Sequence, residues 1–140
     1  CSDVTDVWTL YTKAEEYLRK IIECCEEENI ELVLFATPVT NRRGTQPAYN
    51  RVQEIADEYG IRFYNTNLMD EQTGYGNDCV WSDSNHLNTK GARLISSWFA
   101  REIDDLYGLP DHRGDERYES WQINYEMQSR EYEEMLEALQ

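Results

Sequence analysis

The stretch Ile30-Glu31-Leu32-Val33-Leu34-Phe35-Ala36 decides how this chain is read. It is short, nearly continuous in apolar residues and rich in β-branched and aromatic side chains. Those features suit a strand buried on both faces, as in a parallel sheet. Thr37-Pro38 ends it. A second run, Ile61-Arg62-Phe63-Tyr64-Asn65, reads as the next strand. Each strand has a helix before it. Over Trp8 to Glu27, Tyr11, Ala14, Leu18, Ile21, Ile22 and Cys25 fall at helical spacing, and Glu26-Glu27-Glu28-Asn29 closes the element. Val39 to Gln46 reads as a polar loop. Pro47 to Tyr59 reads as the second helix, with Tyr49, Val52, Ile55, Ala56 and Tyr59 on one face and Gly60 as its C-terminal cap. The order helix-strand-helix-strand is that of an α/β layered fold.

Beyond the second strand, Thr66 to His86 reads as one long loop rich in Asn, Asp, Gly and aromatic residues. Loops of that length inside a compact domain are usually functional or mobile. Asn88 is suited to cap a third helix, Thr89 to Leu106, whose buried face carries Leu94, Ile95, Trp98, Phe99 and Ile103. Gly108 and Pro110 end it. In a parallel sheet the segments leaving Ala36 and Asn65 emerge on the same edge, where α/β folds place ligands. The tail differs in composition. After a polar turn, Asp111 to Asp115, a further helix carries Tyr118, Trp121, Tyr125, Tyr132, Met135, Leu136 and Leu139, an apolar stripe suited to packing on the domain or on a partner chain. The chain thus divides into an α/β part, residues 1–109, and an acidic, aromatic-rich helical extension, residues 110–140.

Composition narrows the function. The 140 residues suit one core, and 40% hydrophobic with 12% aromatic residues exclude a disordered chain. A net charge of -15 argues against nucleic-acid binding, which needs clustered Lys and Arg, and against contact with an anionic membrane surface. No apolar run reaches the length of a membrane span. The cysteines, Cys1, Cys24, Cys25 and Cys79, form no Cys-x-x-Cys pair and read as free thiols. The start at Cys1 rather than Met reads as a processed or truncated chain.

The chemistry concentrates in Trp81-Ser82-Asp83-Ser84-Asn85-His86-Leu87-Asn88. His86 is one of two histidines, and Asp83 precedes it by three residues. An imidazole titrates near neutrality and serves as a general base; a nearby carboxylate fixes its tautomer and stabilises the imidazolium. The same residue types also populate plain loops before helices, so the motif alone carries a catalytic and a structural reading. A metal site from His86, Asp83, Asp78 and Cys79 fits no standard ligand spacing. No Gly-x-Ser-x-Gly elbow is present to supply a nucleophile.

Asp83-Ser84-Asn85-His86-Leu87-Asn88, followed by Gly91 and an amphipathic helix, resembles the last conserved block of the SGNH (GDSL-type) hydrolase superfamily. The resemblance covers roughly residues 10 to 107. It implies the later half of a flavodoxin-like, three-layer α/β/α domain with parallel strands. It implies His86 as general base and Asp83 as its orienting partner, with no cofactor. It further implies an acyl ester substrate, such as an O-acylated glycan, and a place outside the cytoplasm in the cell envelope. The Gly-Asp-Ser block and the Gly and Asn oxyanion blocks of that family are absent here. The expectation is therefore the C-terminal portion of a serine-dependent ester hydrolase or O-acyltransferase, inactive alone and paired with another chain or with a missing N-terminal half. The alternative is a non-enzymatic interaction module on the same scaffold.

Overall fold

The structure is a computed structural model that describes residues 1–80 and 86–138. It is mostly helical with one small parallel sheet among the described residues, and it divides into two compact units, Cys1–Trp98 and Phe99–Gln140.

In the first unit, β1 (Val33–Ala36) and β2 (Arg62–Asn65) pair in parallel, in the register Val33↔Arg62 to Ala36↔Asn65. Parallel strands cannot be joined by a tight turn. The crossover is α2 (Arg42–Tyr59), and α1 (Thr12–Glu27) precedes the pair. Both helices end on a residue in the left-handed region. Asn29 (φ 55°) follows α1 and Gly60 (φ 67°) follows α2. In each case the next amide reaches back, Ile30 N–H to the Cys25 carbonyl and Ile61 N–H to the Ala56 carbonyl, both at 2.8 Å.

Two boundaries differ from the sequence expectation. Helix α2 begins at Arg42, not at Pro47, because the Asn41 side chain caps it by accepting the Gly44 N–H at 3.3 Å. Pro47 therefore lies inside the helix, buried, and its carbonyl accepts the Trp8 N–H at 3.0 Å. Trp8 lies outside the helix, and α1 starts at Thr12. The burial of β1 also differs. Only Ala36 is buried; Val33, Leu34 and Phe35 are half-buried. The sheet has two strands among the described residues, so β1 and β2 each keep an unpaired edge.

Successive strand residues face opposite sides of a sheet. Tyr49 of α2 lies 6.4 Å from Phe63, ring to ring. Its neighbour Tyr64 meets Trp98 edge-on at 5.5 Å. Trp98 belongs to α4 (Thr89–Tyr107). Ile22 of α1 and Ile55 of α2 are fully buried. A cluster of Tyr75, Cys79 and Ile95 gathers Phe35, Val80, Leu87 and Leu94 around it.

Helices α1 and α2 are also tied by charge. Glu15 accepts from Arg51 at 2.6 Å and from Arg19 at 3.1 Å, and Arg19 continues to Glu58 at 2.9 Å. The second unit contains the end of α4, a 3-10 turn at Glu116–Tyr118 and α5 (Glu119–Ala138). Trp121 and Tyr125 of the expected packing stripe are exposed there, and Leu139 lies outside the described residues. Among the described residues no helix is long and apolar enough to cross a membrane.

Two outcomes test this packing. Ile55→Ala removes a fully buried side chain and should cost about 2–5 kcal/mol, lowering the urea midpoint at unchanged slope. An unmoved midpoint would place Ile55 outside the core. The Arg51 hydrogen bond, helped by Arg19, holds the Glu15 carboxyl below its ordinary value against a smaller opposing cost of desolvation. In the unfolded chain that carboxyl titrates at about 4.3. Its stabilisation is therefore complete at neutral pH and is lost as pH falls below about 4.3, because the unfolded chain takes up the proton first. The acid limb of a melting-temperature profile should flatten in Glu15→Gln; an unchanged limb would show that the bridge contributes nothing.

Candidate functional site

The parallel register brings Ala36 and Asn65 to one edge, and polar side chains fasten the two exits together. Thr66 donates its hydroxyl to the Ala36 carbonyl at 2.6 Å. The Asn67 carboxamide oxygen accepts the Val39 N–H at 2.9 Å; its nitrogen donates to Asn65 Oδ1 at 3.0 Å and to the Thr37 carbonyl at 3.4 Å. Asn65 donates in turn to Gln46 Oε1 at 3.2 Å. All four of these side chains belong to buried residues. Both donors of Asn67 are engaged within the protein, so this network braces the edge. It does not aim N–H groups at a ligand.

Arg42, the first residue of α2, closes the same edge. It donates to the Asn67 carbonyl at 3.3 Å, pairs with Asp70 at 2.6 Å, and lies 4.6 Å from the centre of the Tyr75 ring. Nothing in the sequence reading singled out Arg42, Gln46, Asn65 or Asn67. The available signal was the run Asn65-Thr66-Asn67 directly after an apolar strand.

The segment expected as one long loop is partly ordered into short helical pieces: a 3-10 turn at Thr66–Leu68, α3 (Asp70–Thr73) and a second 3-10 turn at Asn77–Cys79. An isolated antiparallel bridge between Val80 and Leu87 then closes the base of the Asp-x-x-His loop. Both residues pack on the Tyr75, Cys79 and Ile95 cluster, together with Phe35 of β1.

Asn88 locks that base to α4. Its carboxamide oxygen accepts the Gly91 N–H at 2.9 Å, the capping bond expected from the sequence. Its nitrogen donates to the carbonyls of Asp78 at 2.7 Å and Val80 at 3.3 Å, and its own N–H donates to the Cys79 carbonyl at 3.0 Å. Gly91 permits the close approach. A Cβ there would overlap the Cys79 carbonyl oxygen and come within 2.9 Å of the Cys79 Cβ.

His86 stands exposed on this base, one residue before the bridge. Asp83, Ser82 and Ser84 lie outside the described residues. Cys79 is fully buried, its thiol donating to Asp78 at 3.6 Å, and Asp78 is paired with Lys90. The hydrogen bond from Lys90 holds the Asp78 carboxyl below its ordinary value. Among the described residues, no group of three or more His, Cys, Asp or Glu is placed to hold a metal ion. The arrangement places an exposed imidazole on a base tied by the Val80–Leu87 bridge and the Asn88 cap, and a held imidazole is a group suited to proton transfer.

Gly91→Ala should destabilise the protein by about 1–3 kcal/mol through overpacking against Cys79. Asn88→Ala should cost about 1 kcal/mol and speed proteolytic nicking between residues 80 and 87. Chemical denaturation and limited proteolysis measure both, and wild-type behaviour in the two variants would refute the tied base.

Comparison with protein-family models, with curated proteins and with solved structures finds no match for this chain.

Proposed function

We propose that this chain supplies the Asp–His half of a serine-dependent acyl-transfer site, as the C-terminal portion of an SGNH-type ester hydrolase or O-acyltransferase. The observation that carries the reading is His86, exposed and three residues beyond Asp83, on a base fixed by the Val80–Leu87 bridge and the Asn88 cap. Helical cover from Tyr49 on one side of β2 and from Trp98 on the other supports a layered α/β/α domain. The half-buried β1 and the unpaired sheet edges support further strands, from a second chain or an N-terminal half.

In this reading Asp83 orients the imidazole and stabilises its protonated form. His86 takes the proton from a serine hydroxyl as that oxygen attacks the acyl carbonyl. It returns the proton to the departing alkoxide, leaving an acyl-enzyme that water or an acceptor hydroxyl then opens. The serine and the oxyanion donors come from sequence outside these 140 residues. The substrate is an acyl ester, with an O-acylated glycan of the cell envelope as the favoured class.

A second reading, an interaction module without catalysis, is favoured by α5, where Trp121 and Tyr125 stand exposed.

Turnover of p-nitrophenyl acetate separates the two. The chain alone should show none above buffer. The natural reading frame that contains it, with its serine block, should hydrolyse the ester and lose about 10³-fold or more of kcat in His86→Ala and in Asp83→Asn. Activity indifferent to His86, or a reading frame with no serine that a fluorophosphonate labels, would overturn the hydrolase reading.

A further inference from the structure

Within the second unit, the turn after α4 folds beside the first turns of α5 and leaves an open groove of about 800 Å³. That is the size of a small-ligand site. Its lining is mainly aromatic and acidic, with His112 and Arg113 also in the wall. Trp121 is 76% exposed and Tyr125 64% exposed, one helical turn apart on α5. Rings so exposed lack the cover that a core position would give them.

The charges lining the groove do not balance. Asp111 is taken up by Arg113, which donates to it at 2.6 and 2.8 Å. Asp115 is taken up by Arg117 at 2.6 Å. Glu116 and Glu119 also line the groove, and among the described residues neither has an ion-pair partner. The groove therefore presents two uncompensated carboxylates beside exposed aromatic faces, on a chain of net charge -15. The rings of this unit already attract the protein's own cations: the Arg117 guanidinium lies 5.8 Å from the centre of the Tyr118 ring. Aromatic faces with flanking carboxylates select weakly hydrated organic cations over neutral or anionic ligands.

We propose that this groove binds an organic ammonium ion, with Trp121 and Tyr125 supplying the ring faces and Glu116 and Glu119 the counter-charge. The methylated ammonium head is the best-matched form, because it is shed from water most readily and presents its charge over an apolar surface. It can come from a free choline-type compound or from the side chain of a methylated lysine.

The test is calorimetric titration of the full chain with choline, with 3,3-dimethylbutan-1-ol as the neutral isostere. The expected result is saturable, salt-sensitive binding of choline at millimolar affinity and none of the alcohol. Trp121→Ala and the double variant Glu116→Gln/Glu119→Gln should each weaken choline about tenfold while the circular dichroism spectrum stays unchanged. Equal binding of choline and its isostere would reduce the site to an apolar groove and overturn the proposal. So would a non-saturating response, or one that the variants leave unchanged. A trimethyl-lysine peptide that binds more tightly than choline identifies a protein side chain as the source; the reverse order identifies a free small cation.

Discussion

Parallel pairing of Val33–Ala36 with Arg62–Asn65 is the constraint from which the rest of the first unit follows. Antiparallel strands could have been closed by two residues. A parallel pair needs a chain long enough to return to the starting end, and α2 provides it. Both strand exits then lie on one edge, where their backbone polar groups need partners. Thr66, Asn67 and Asn65 supply them, Gln46 holds the Asn65 carboxamide in place, and Arg42 joins at the start of the crossover helix. The edge that could hold a ligand is thereby braced by buried carboxamides before any chemistry is considered.

The same economy governs the His86 loop. A carboxamide at Asn88 serves as helix cap and loop clamp together, and the missing side chain of Gly91 lets α4 approach the backbone of Cys79. Substitution at either position changes two elements, the helix start and the loop base. This coupling ties together the base from which the exposed His86 projects, the kind of support that the proposed general base would need. It would serve equally well to hold a recognition loop, so the tied base and the chemistry need separate tests.

Much of the scaffold was legible in the sequence because it rests on periodic burial and on backbone stereochemistry. The apolar run at Val33–Ala36 and the cap residues Asn88 and Gly60 carry local signals that tertiary structure had no reason to override. The start of α2 was not legible. Val39 to Gln46 read as a polar loop and Pro47 as the start of the helix, yet Asn41 caps the helix ahead of them and Pro47 lies buried inside it. The carboxamide network left no periodic trace, because its partners are far apart in the chain: Asn67 reaches back across 28 residues to Val39. Half-burial of β1 was likewise invisible, since apolar content reports what a strand can bury and not which neighbours cover it. At the candidate site the sequence located His86 at the mouth of α4, while its geometry with Asp83 lies outside the described residues.

The most direct measurement is therefore the imidazole N–H spectrum of His86 by NMR in the wild type and in Asp83→Ala. A catalytic pair predicts one ring N–H protected from exchange by a hydrogen bond to the Asp83 carboxylate, lost in the variant, with the second ring nitrogen open to solvent. Identical His86 signals in the two proteins would show that Asp83 does not orient the ring, and would contradict the account.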